Sequence, residues 1–545
     1  MKLVSVAEMR AIEQQADASG LSYAQMMENA GRGLADLLLD LHFVSGGEDL
    51  DVLGLVGPGN NGGDTLVALS LLASNGWRAR AYLLNREALN DSLVERLKQA
   101  GGEVVLSKQD SRFKSLTTFV ETTDIVLDGV LGTGVRLPLK GDVARALDAA
   151  KTAIAAAAEP PFVVAVDCPS GVDCDSGEVA KECIPADLTV TMAAVKQGLL
   201  RMPAFEYVGE IKVVDIGLNE TLPAWNAIQN RVTMAEDVAM LLPDRPLDAH
   251  KGTFGTALVV AGSLNYTGAA LLAGKAAYRS GAGLVTLAVP APLHSALAGH
   301  LPEATWLLLP HEQGVIAEDA ASVVFENLGR VTALLIGPGF GLEETTQKFL
   351  EALLDGKSAV RKSSARIGFL HTESDRAEGE RVILPPLVCD ADGLRLLAKI
   401  PNWPTRLPAP AVLTPHPGEM SALTGLKVEE IQQDRLGVAR RFASEWGHVV
   451  VLKGAFTVVA APNGQTATLP VASPALARAG SGDVLAGLIT GLRAQGLEAY
   501  EAAVAGAWIH ARAGLAAAEF QGGTASILAG DVLEMIADVM AELQG

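Results

Sequence analysis

Short runs of apolar residues alternate along this chain with segments of helical periodicity. In the first part, the apolar runs occupy positions 51–56, 79–84, 124–130 and 161–167. Apolar residues recur with a helical period over 21–41 and 65–74. Continuous apolar runs separated by helices are typical of a parallel sheet that is covered on both faces. The pattern therefore predicts an α/β fold, with ligand sites in the loops that follow the strands.

The alternation stops between positions 217 and 250 and then resumes. This stretch is interrupted by prolines, and its one regular piece is a short helical segment after Thr233. We therefore place a domain boundary near position 230. Two domains are predicted, a Rossmann-like three-layer sandwich over 1–225 and a second α/β domain over 235–545.

The second half shows the same alternation of strands and helices. Apolar runs occupy positions 256–262, 284–289, 333–339, 387–393, 411–419 and 448–454. Helical periodicity covers 268–280, 483–495 and 498–520, and a last helix begins near Ser526. The polar and charged segment 356–381 interrupts this order, and we expect an excursion near a sheet edge or a mobile flap rather than a catalytic element.

Charge and cysteine content narrow the class of protein. The formal net charge is −20 at pH 7, which argues against nucleic-acid binding, because such proteins usually carry a basic surface. The four cysteines lack the spacing of a disulfide framework or a zinc site, and we expect them to be buried. The first residues are charged and amphipathic without the apolar core of a signal peptide, and no membrane span is predicted. We expect a cytoplasmic protein.

The chain is rich in glycine, with 56 residues, and four of them lie in the motif GPGNNGGD at 57–64. Gly57, Gly59 and Gly62 satisfy the G-x-G-x-x-G pattern of dinucleotide-binding loops. Asn85 stands at the end of the next strand, where such sites carry an acid, and this argues against a standard NAD dehydrogenase. The glycines still suit a loop whose N–H groups face a phosphate at a helix N-terminus.

Two more strand ends carry carboxylates. Asp128 ends DIVLD and is followed by the glycine loop 129–138, and Asp167 ends VVAVD. Each alone has an ordinary explanation as a helix cap or turn former. Together with the Asn–Asn pair at 60–61, they suit either a hard cation or a hydroxylated substrate with an acid–base aspartate.

Five motifs follow one another in the first half: QMMENAG (25–31), GPGNNGGD, LDGVLGTG (127–134), VDCPSGVD (166–173) and VKQGL (195–199). Together they resemble the YjeF N-terminal domain, the NAD(P)H-hydrate epimerase. Where the family motif usually continues with glycine, this chain has Thr65, so we expect a small change in how the helix meets the ligand.

This resemblance implies the roles of the site residues. It implies that Asp167 lies against the substrate and serves in proton transfer. It implies a potassium ion held by Asn61, Asp128 and Ser170. It implies further substrate contacts from Asn60, Asn61, Gly62, Gly63, Asp64, Gly132, Thr133, Gly134, Val135, Arg136, Leu137 and Pro138.

The second half contains a glycine turn that leads into a helix. Gly480 and Gly482 flank a serine in the sequence GSGDVLAG, and Asp483 follows in the first helical turn. A helix N-terminus attracts anions, so this arrangement suits a phosphate chain beside Asp483 as a base. The turn resembles that of the ribokinase-like small-molecule kinases, and a P-loop is not expected because there is no Walker A motif.

A larger set of motifs narrows the resemblance: AGSLNYTGAALLAG, SGAGLVT, IGPGFG, CDADGL, LTPHPGEM, LKGAFT and GSGDVLAG. Together, over about 250–525, they look like the ADP/ATP-dependent NAD(P)H-hydrate dehydratase, which implies a ribokinase-like fold. The resemblance implies substrate contacts from Ala269, Gly339, His416 and Asp483. It implies nucleotide contacts from Lys453, Gly454, Ala455, Phe456, Thr457 and Gly482, with magnesium accompanying the nucleotide.

Both halves imply one substrate, NADH or NADPH hydrated at C6 of the nicotinamide ring. The first domain would interconvert the R and S epimers, and the second would use ADP or ATP to dehydrate the S epimer. We expect a homo-oligomer. Two alternatives remain open: a small-molecule kinase acting on a vitamin-precursor alcohol, and a first half that is a non-catalytic binding or scaffolding module.

Overall fold

The computed structural model describes residues 1–40, 50–356 and 381–544. The chain forms two compact units, Met1–Asn230 and Arg231–Gly545. The polar segment expected to be an excursion or flap lies outside the described residues, apart from its end residues 356 and 381. No described helix has both the length and the apolar character that crossing a membrane requires.

The first unit alternates strands and helices over its whole length. Its strands are β1 Leu3–Val4, β2 Asp51–Val56, β3 Arg78–Leu83, β4 Glu103–Leu106, β5 Ile125–Gly129, β6 Phe162–Val166, β7 Leu188–Met192, β8 Val195–Lys196 and β9 Glu210–Val214. Its helices are α1 Val6–Ala18, α2 Tyr23–Asp40, α3 Asn60–Ser74, α4 Ser92–Gln99, α5 Lys114–Glu121, α6 Gly141–Ala156 and α7 Pro223–Asn226.

Seven strands of the first unit form one sheet in the order β4-β3-β2-β5-β6-β7-β9. Every neighbouring pair is parallel. Two clusters of buried apolar residues cover its two faces, which explains why β2 and β5 are buried throughout and mostly apolar. The chain leaves β2 toward β3 on one side and leaves β5 toward β6 on the other, so the connections that follow these two strands diverge. Ligands bind at such a divergence in open parallel sheets.

The helix after β2 begins earlier than its apolar periodicity indicates. α3 starts at Asn60, five residues before the predicted start at Thr65, because Gly59 has the extended conformation of an N-cap. Thr65 therefore lies beyond the first turn and is fully buried. The Thr65 hydroxyl donates to the Asn61 carbonyl at 2.8 Å. A methyl group on Gly129 would lie 1.8 Å from the Thr65 hydroxyl oxygen. Thr65 thus packs against the sheet.

The second unit follows the same alternation. Its strands are β10 Asn230–Val232, β11 Thr256–Val260, β12 Leu284–Pro290, β13 Thr305–Leu309, β14 His311–Glu312, β15 Val315–Ile316, β16 Ala333–Ile336, β17 Leu387–Cys389, β18 Val412–Leu413, β19 Val449–Leu452, β20 Val458–Ala460 and β21 Thr466–Thr468. Its helices are α8 Ala235–Ala239, α9 Thr267–Arg279, α10 His294–Leu297, α11 Ala320–Glu326, α12 Glu344–Asp355, α13 Asp392–Leu397, α14 Pro417–Thr424, α15 Val428–Gln433, α16 Arg435–Trp446, α17 Ser481–Ala494, α18 Ala499–Phe520 and α19 Ala529–Gln544.

The second sheet has ten strands in the order β10-β21-β20-β19-β18-β17-β16-β11-β12-β13. It is parallel from β19 to β13, and β20 and β21 add antiparallel pairs at one side. The α/β class predicted for both halves is confirmed. The strand order reverses between β11 and β16, which again locates a ligand crevice at their C-terminal ends.

The proline-containing stretch 217–250 holds more regular structure than predicted. Besides the expected short helix, here α8, it contains α7 and the strand β10. Neither has an apolar period long enough to be recognised, because α7 is four residues long and β10 three. All four cysteines are free and buried, as expected from their spacing.

Candidate active sites

The first unit contains a cavity of about 510 Å³ at the C-terminal ends of β2 and β5. It brings together eight predicted site residues: Asn60, Asn61, Asp64, Gly132, Thr133, Gly134, Val135 and Asp167. The remaining five predicted substrate contacts do not line it. Gly62 and Gly63 are buried against Gly57 and Met27 in the packing of α3, and Arg136 to Pro138 lie farther along the loop.

Asp167 follows β6 in a left-handed conformation, with φ 66°. The Met192 N–H donates to its Oδ1 at 3.0 Å and the Thr191 hydroxyl at 3.2 Å. Lys196 forms an ion pair with the same oxygen. An amide, a hydroxyl and an ammonium group therefore meet at one oxygen of the carboxylate that the sequence predicts to transfer a proton.

Two further carboxyl groups line this cavity. Burial, followed by the charges of Asp167 and Glu13, raises the pKa of Asp64 well above its usual value. Burial and the charge of Asp167 also raise the pKa of Glu13. Sequence reasoning missed Glu13 because it lies on an amphipathic helix, where an acid is usually solvated. It also gave no role to Lys196, although the VKQGL motif contains it.

A cluster of polar oxygens lies at the floor of the first site. The Asp128 side chain is fully buried, and its Oδ2 accepts from the Ser170 N–H at 2.8 Å. Asn61 donates to the Leu131 carbonyl at 3.0 Å, and the Ser170 hydroxyl accepts from the Leu131 N–H at 2.8 Å. Asn61 Oδ1 and Asp128 Oδ1 are buried without a hydrogen-bond partner. These two unsatisfied oxygens fit a hard cation, which takes oxygen ligands.

The second unit presents a glycine turn at the start of α17. Gly480 adopts φ 88°, and Asp483 follows in the first turn. Burial and the charge of Asp390 raise the pKa of Asp483 to about 7. A carboxyl group with such a pKa can accept a proton near neutral pH.

An ion pair between a half-buried lysine and a buried carboxylate lies directly beside this turn. Lys453 follows β19 and donates to Asp390 Oδ1 at 2.6 Å, and the Thr414 hydroxyl donates to the same oxygen at 2.7 Å. A methyl group on Gly482 would lie 3.3 Å from the Lys453 nitrogen. Asp390 Oδ2 is buried without a partner. The pair leaves a cation and an unsatisfied carboxylate oxygen next to the helix N-terminus.

His416 is the N-cap of α14. Its Nδ1 accepts from the Gly418 N–H at 2.9 Å, and its Nε2 lies 3.3 Å from Glu419 Oε1. Burial and the charge of Lys453 lower the pKa of His416, which favours the neutral ring. Glu419 Oε2 in turn lies 3.7 Å from the Lys453 nitrogen. His416 therefore belongs to the cluster around Lys453.

Five of the six residues predicted to bind nucleotide, Lys453 to Thr457, form a tight turn after β19, and the sixth, Gly482, lies at the start of α17. Thr457 closes the turn by donating to the Gly454 carbonyl at 2.8 Å, and Phe456 has φ 53°. Arg435, which sequence reasoning missed, donates to the Leu452 and Lys453 carbonyls at 2.8 and 3.2 Å. Burial lowers the pKa of Arg435 to about 10, and it remains a cation at neutral pH.

Ala269 and Gly339, the other predicted substrate contacts, are adjacent. A methyl group on Gly339 would lie 2.9 Å from the Ala269 methyl. They lie on α9 and in the loop after β16, on the two sides of the strand-order reversal. Asp390 and Glu419 were contained in the motifs CDADGL and LTPHPGEM, but only the fold shows that they share an ion pair with Lys453.

Two family models match the chain. The model of the YjeF-related protein N-terminus matches residues 23–198, and the model of NAD(P)H-hydrate dehydratase matches 257–361 and 377–537. A solved Bacillus subtilis ADP/ATP-dependent NAD(P)H-hydrate dehydratase, co-crystallised with ATP and magnesium, is 30% identical. It covers 58% of this chain and 100% of its own, with a TM-score of 0.45.

Curated relatives match both units together. A bifunctional NAD(P)H-hydrate repair enzyme of Moorella thermoacetica is 36% identical over 100% of this chain and 97% of its own length. Enzymes of the same name from Salinibacter ruber and Escherichia coli are 36% and 32% identical over 96% of this chain, and the matches cover 93% and 90% of their own lengths. The chain therefore belongs to the family of bifunctional NAD(P)H-hydrate repair enzymes.

Proposed function

We propose that this protein repairs NADH and NADPH that have been hydrated at C6 of the nicotinamide ring. The first unit interconverts the R and S epimers, and the second dehydrates the S epimer with ADP or ATP. The observation that carries the proposal is that each unit has its predicted aspartate, Asp167 or Asp483, in a cluster with an ion-paired lysine, Lys196 or Lys453. The full-length similarity to enzymes of this name supports it.

In the first unit, Asp167 accepts the proton of the C6 hydroxyl. An electron pair of this oxygen then forms the carbonyl double bond while the bond from C6 to the ring nitrogen breaks, and the nitrogen takes up a proton. When the ring closes on the other face of the carbonyl, the nitrogen gives its proton back to the group that donated it, and Asp167 returns its proton to the oxygen, which inverts C6. Asp64 is the proton donor available in the same cavity, because its raised pKa favours the protonated form.

Asn60, Asn61, Asp64 and Gly132 to Val135, which line the cavity with Asp167, form the substrate site of this unit. The N–H groups at the start of α3 suit the pyrophosphate. Asn61, Asp128 and Ser170 would hold a potassium ion, for which the two unsatisfied oxygens of Asn61 and Asp128 provide the fit. Such an ion would supply a fixed positive charge near the bound substrate.

In the second unit, Asp483 removes the proton of the C6 hydroxyl, and the oxygen attacks the terminal phosphorus of the nucleotide while the bond to the bridging oxygen breaks. The shortened nucleotide leaves, AMP from ADP or ADP from ATP. Phosphate then leaves C6 with the bonding pair, and loss of a proton from C5 restores the ring double bond. Lys453 and the N–H groups at Gly482 stabilise charge on the phosphoryl oxygens. The substrate side of this site is lined by Ala269, Gly339 and His416.

The turn from Lys453 through Gly454, Ala455, Phe456 and Thr457 binds the nucleotide, together with Gly482. Magnesium bound with the phosphates would supply positive charge that neutralises part of theirs. Asp390 Oδ2, buried and unsatisfied, is the oxygen that fits it. We further propose a cytoplasmic homo-oligomer, and the four free cysteines agree with a reducing compartment.

The test is incubation of the protein with a mixture of R and S hydrates and either nucleotide. We expect the near-ultraviolet absorbance of the reduced cofactor to return from both epimers. No recovery would contradict the proposal. A stable phosphorylated product would favour a small-molecule kinase, and recovery of the S epimer alone would favour a non-catalytic first unit.

A further inference from the structure

Every hydrogen bond and ion pair that the structure gives the Asp167 side chain falls on one of its two oxygens. Oδ1 receives the Met192 N–H, the Thr191 hydroxyl and the Lys196 ammonium group, and Oδ2 receives none of them. A carboxylate held through one oxygen cannot rotate without losing all three partners. The free oxygen, Oδ2, is therefore the one that can meet the hydroxyl proton of a substrate in the cavity.

Lys196 is 1% exposed, yet all three of its N–H donors have acceptors. Besides Asp167, it donates to the Thr191 hydroxyl and to the Met192 carbonyl, both at 2.9 Å. A buried ammonium group is tolerated only when it is paired and hydrogen-bonded in this way. With its donors engaged, Lys196 is suited to hold Asp167 and not to act as a base.

Thr191 links the two charged groups. Its hydroxyl accepts from Lys196 at 2.9 Å and lies 3.2 Å from Asp167 Oδ1, to which it donates. Thr191 lies in β7 and Lys196 in β8, so the turn between these strands fixes both. β8 in turn pairs with β1, where Val4 is opposite Lys196. The two residues that hold Asp167 are thus fixed by paired strands and not by a loose loop.

We infer that Lys196 and Thr191 are positioning residues of the first site, which stabilise the Asp167 carboxylate and leave only Oδ2 to take the substrate proton. This inference rests on the proposed epimerase function. The proton passes from the C6 hydroxyl to Oδ2 and returns from it when the ring closes. Neither positioning residue exchanges a proton with the substrate.

The test compares paired substitutions on β7 in the full-length protein. Thr191→Val removes the bridging hydroxyl at nearly constant volume, and Thr191→Ser keeps it. Thr189→Val is the matched control, because Thr189 is buried on the same strand but donates to the Val208 carbonyl and does not touch Asp167. Epimerase kcat and KM are measured for each variant, and dehydration of pure S hydrate shows that the second unit is intact.

We expect Thr191→Val to lower epimerase kcat about tenfold, with KM changed less than about twofold, because a misplaced proton acceptor slows the chemical step more than binding. Thr191→Ser and Thr189→Val should keep kcat near wild type. Lys196→Met should lower kcat by about 10² or more, since the carboxylate loses its buried cation. If Lys196→Met does not fold, the comparison of Thr191→Val with Thr191→Ser still tests the inference.

Equal kcat for Thr191→Val and wild type would overturn the inference, as would equal losses in Thr191→Val and Thr189→Val, which would indicate a general packing effect. A wild-type protein without epimerase activity is a different result. It would contradict the proposed function of the first unit and not the positioning roles alone.

Discussion

At the scale of single residues, each site pairs a buried or half-buried carboxylate with a lysine that is distant in sequence. Asp167 and Lys196 are 29 positions apart, and Asp390 and Lys453 are 63 apart. Asp167 and Asp483 could be predicted, because an acid after an apolar run or a glycine turn has a recognisable local pattern. The lysine pairings could not, because they depend on the order of strands in the sheet.

The environment of Asp483 predicts a pH dependence of dehydration. Burial and neighbouring carboxylates raise its pKa to about 7, and the base is the ionised form, which exists above the pKa. We therefore expect kcat/KM for dehydration of the S hydrate to rise about tenfold per pH unit below pH 7 and to level off above it. A rate that is independent of pH from about 5 to 8 would contradict this role for Asp483.

At the scale of elements, the glycine turns allow strand and helix to approach closely. A methyl group on Gly62 would lie 2.0 Å from the Gly57 carbonyl oxygen, and one on Gly57 would lie 1.9 Å from the Val130 carbonyl oxygen. Apolar periodicity predicted the centre of α3 but not its start, since Asn60 to Asp64 carry no apolar signal. The strands of the sheets were more predictable, because their continuous burial leaves an uninterrupted apolar run.

This packing predicts different effects for two glycine substitutions at the same turn. Gly62→Ala forces a contact with backbone, and overpacking of this kind costs about 1–3 kcal/mol. Gly59→Ala is the control, because a methyl group there meets nothing within 4 Å and its φ of −88° suits alanine. We expect the thermal unfolding midpoint of the first unit to fall by roughly 3–10 °C in Gly62→Ala and to change little in Gly59→Ala. Equal midpoints would show that the turn is not closely packed.

At the scale of the whole molecule, the chain combines two compact units, each with its own parallel or mostly parallel sheet, core and candidate site. The boundary between the units is indicated by the sequence after position 217, because the regular helical and strand periods stop there and prolines and short elements follow. The central claim is that the two sites act in sequence on one substrate, the first supplying the S epimer that the second consumes.

The most direct test of this claim is the time course of cofactor recovery from a mixed R and S hydrate, measured for Asp167→Ala and Asp483→Ala in the full-length protein with ADP or ATP. Asp167→Ala should restore the S fraction and leave the R fraction unrepaired, and adding Asp483→Ala to that reaction should complete the recovery. Asp483→Ala alone should restore nothing while still interconverting the epimers. Loss of both activities in either variant would contradict two independent sites.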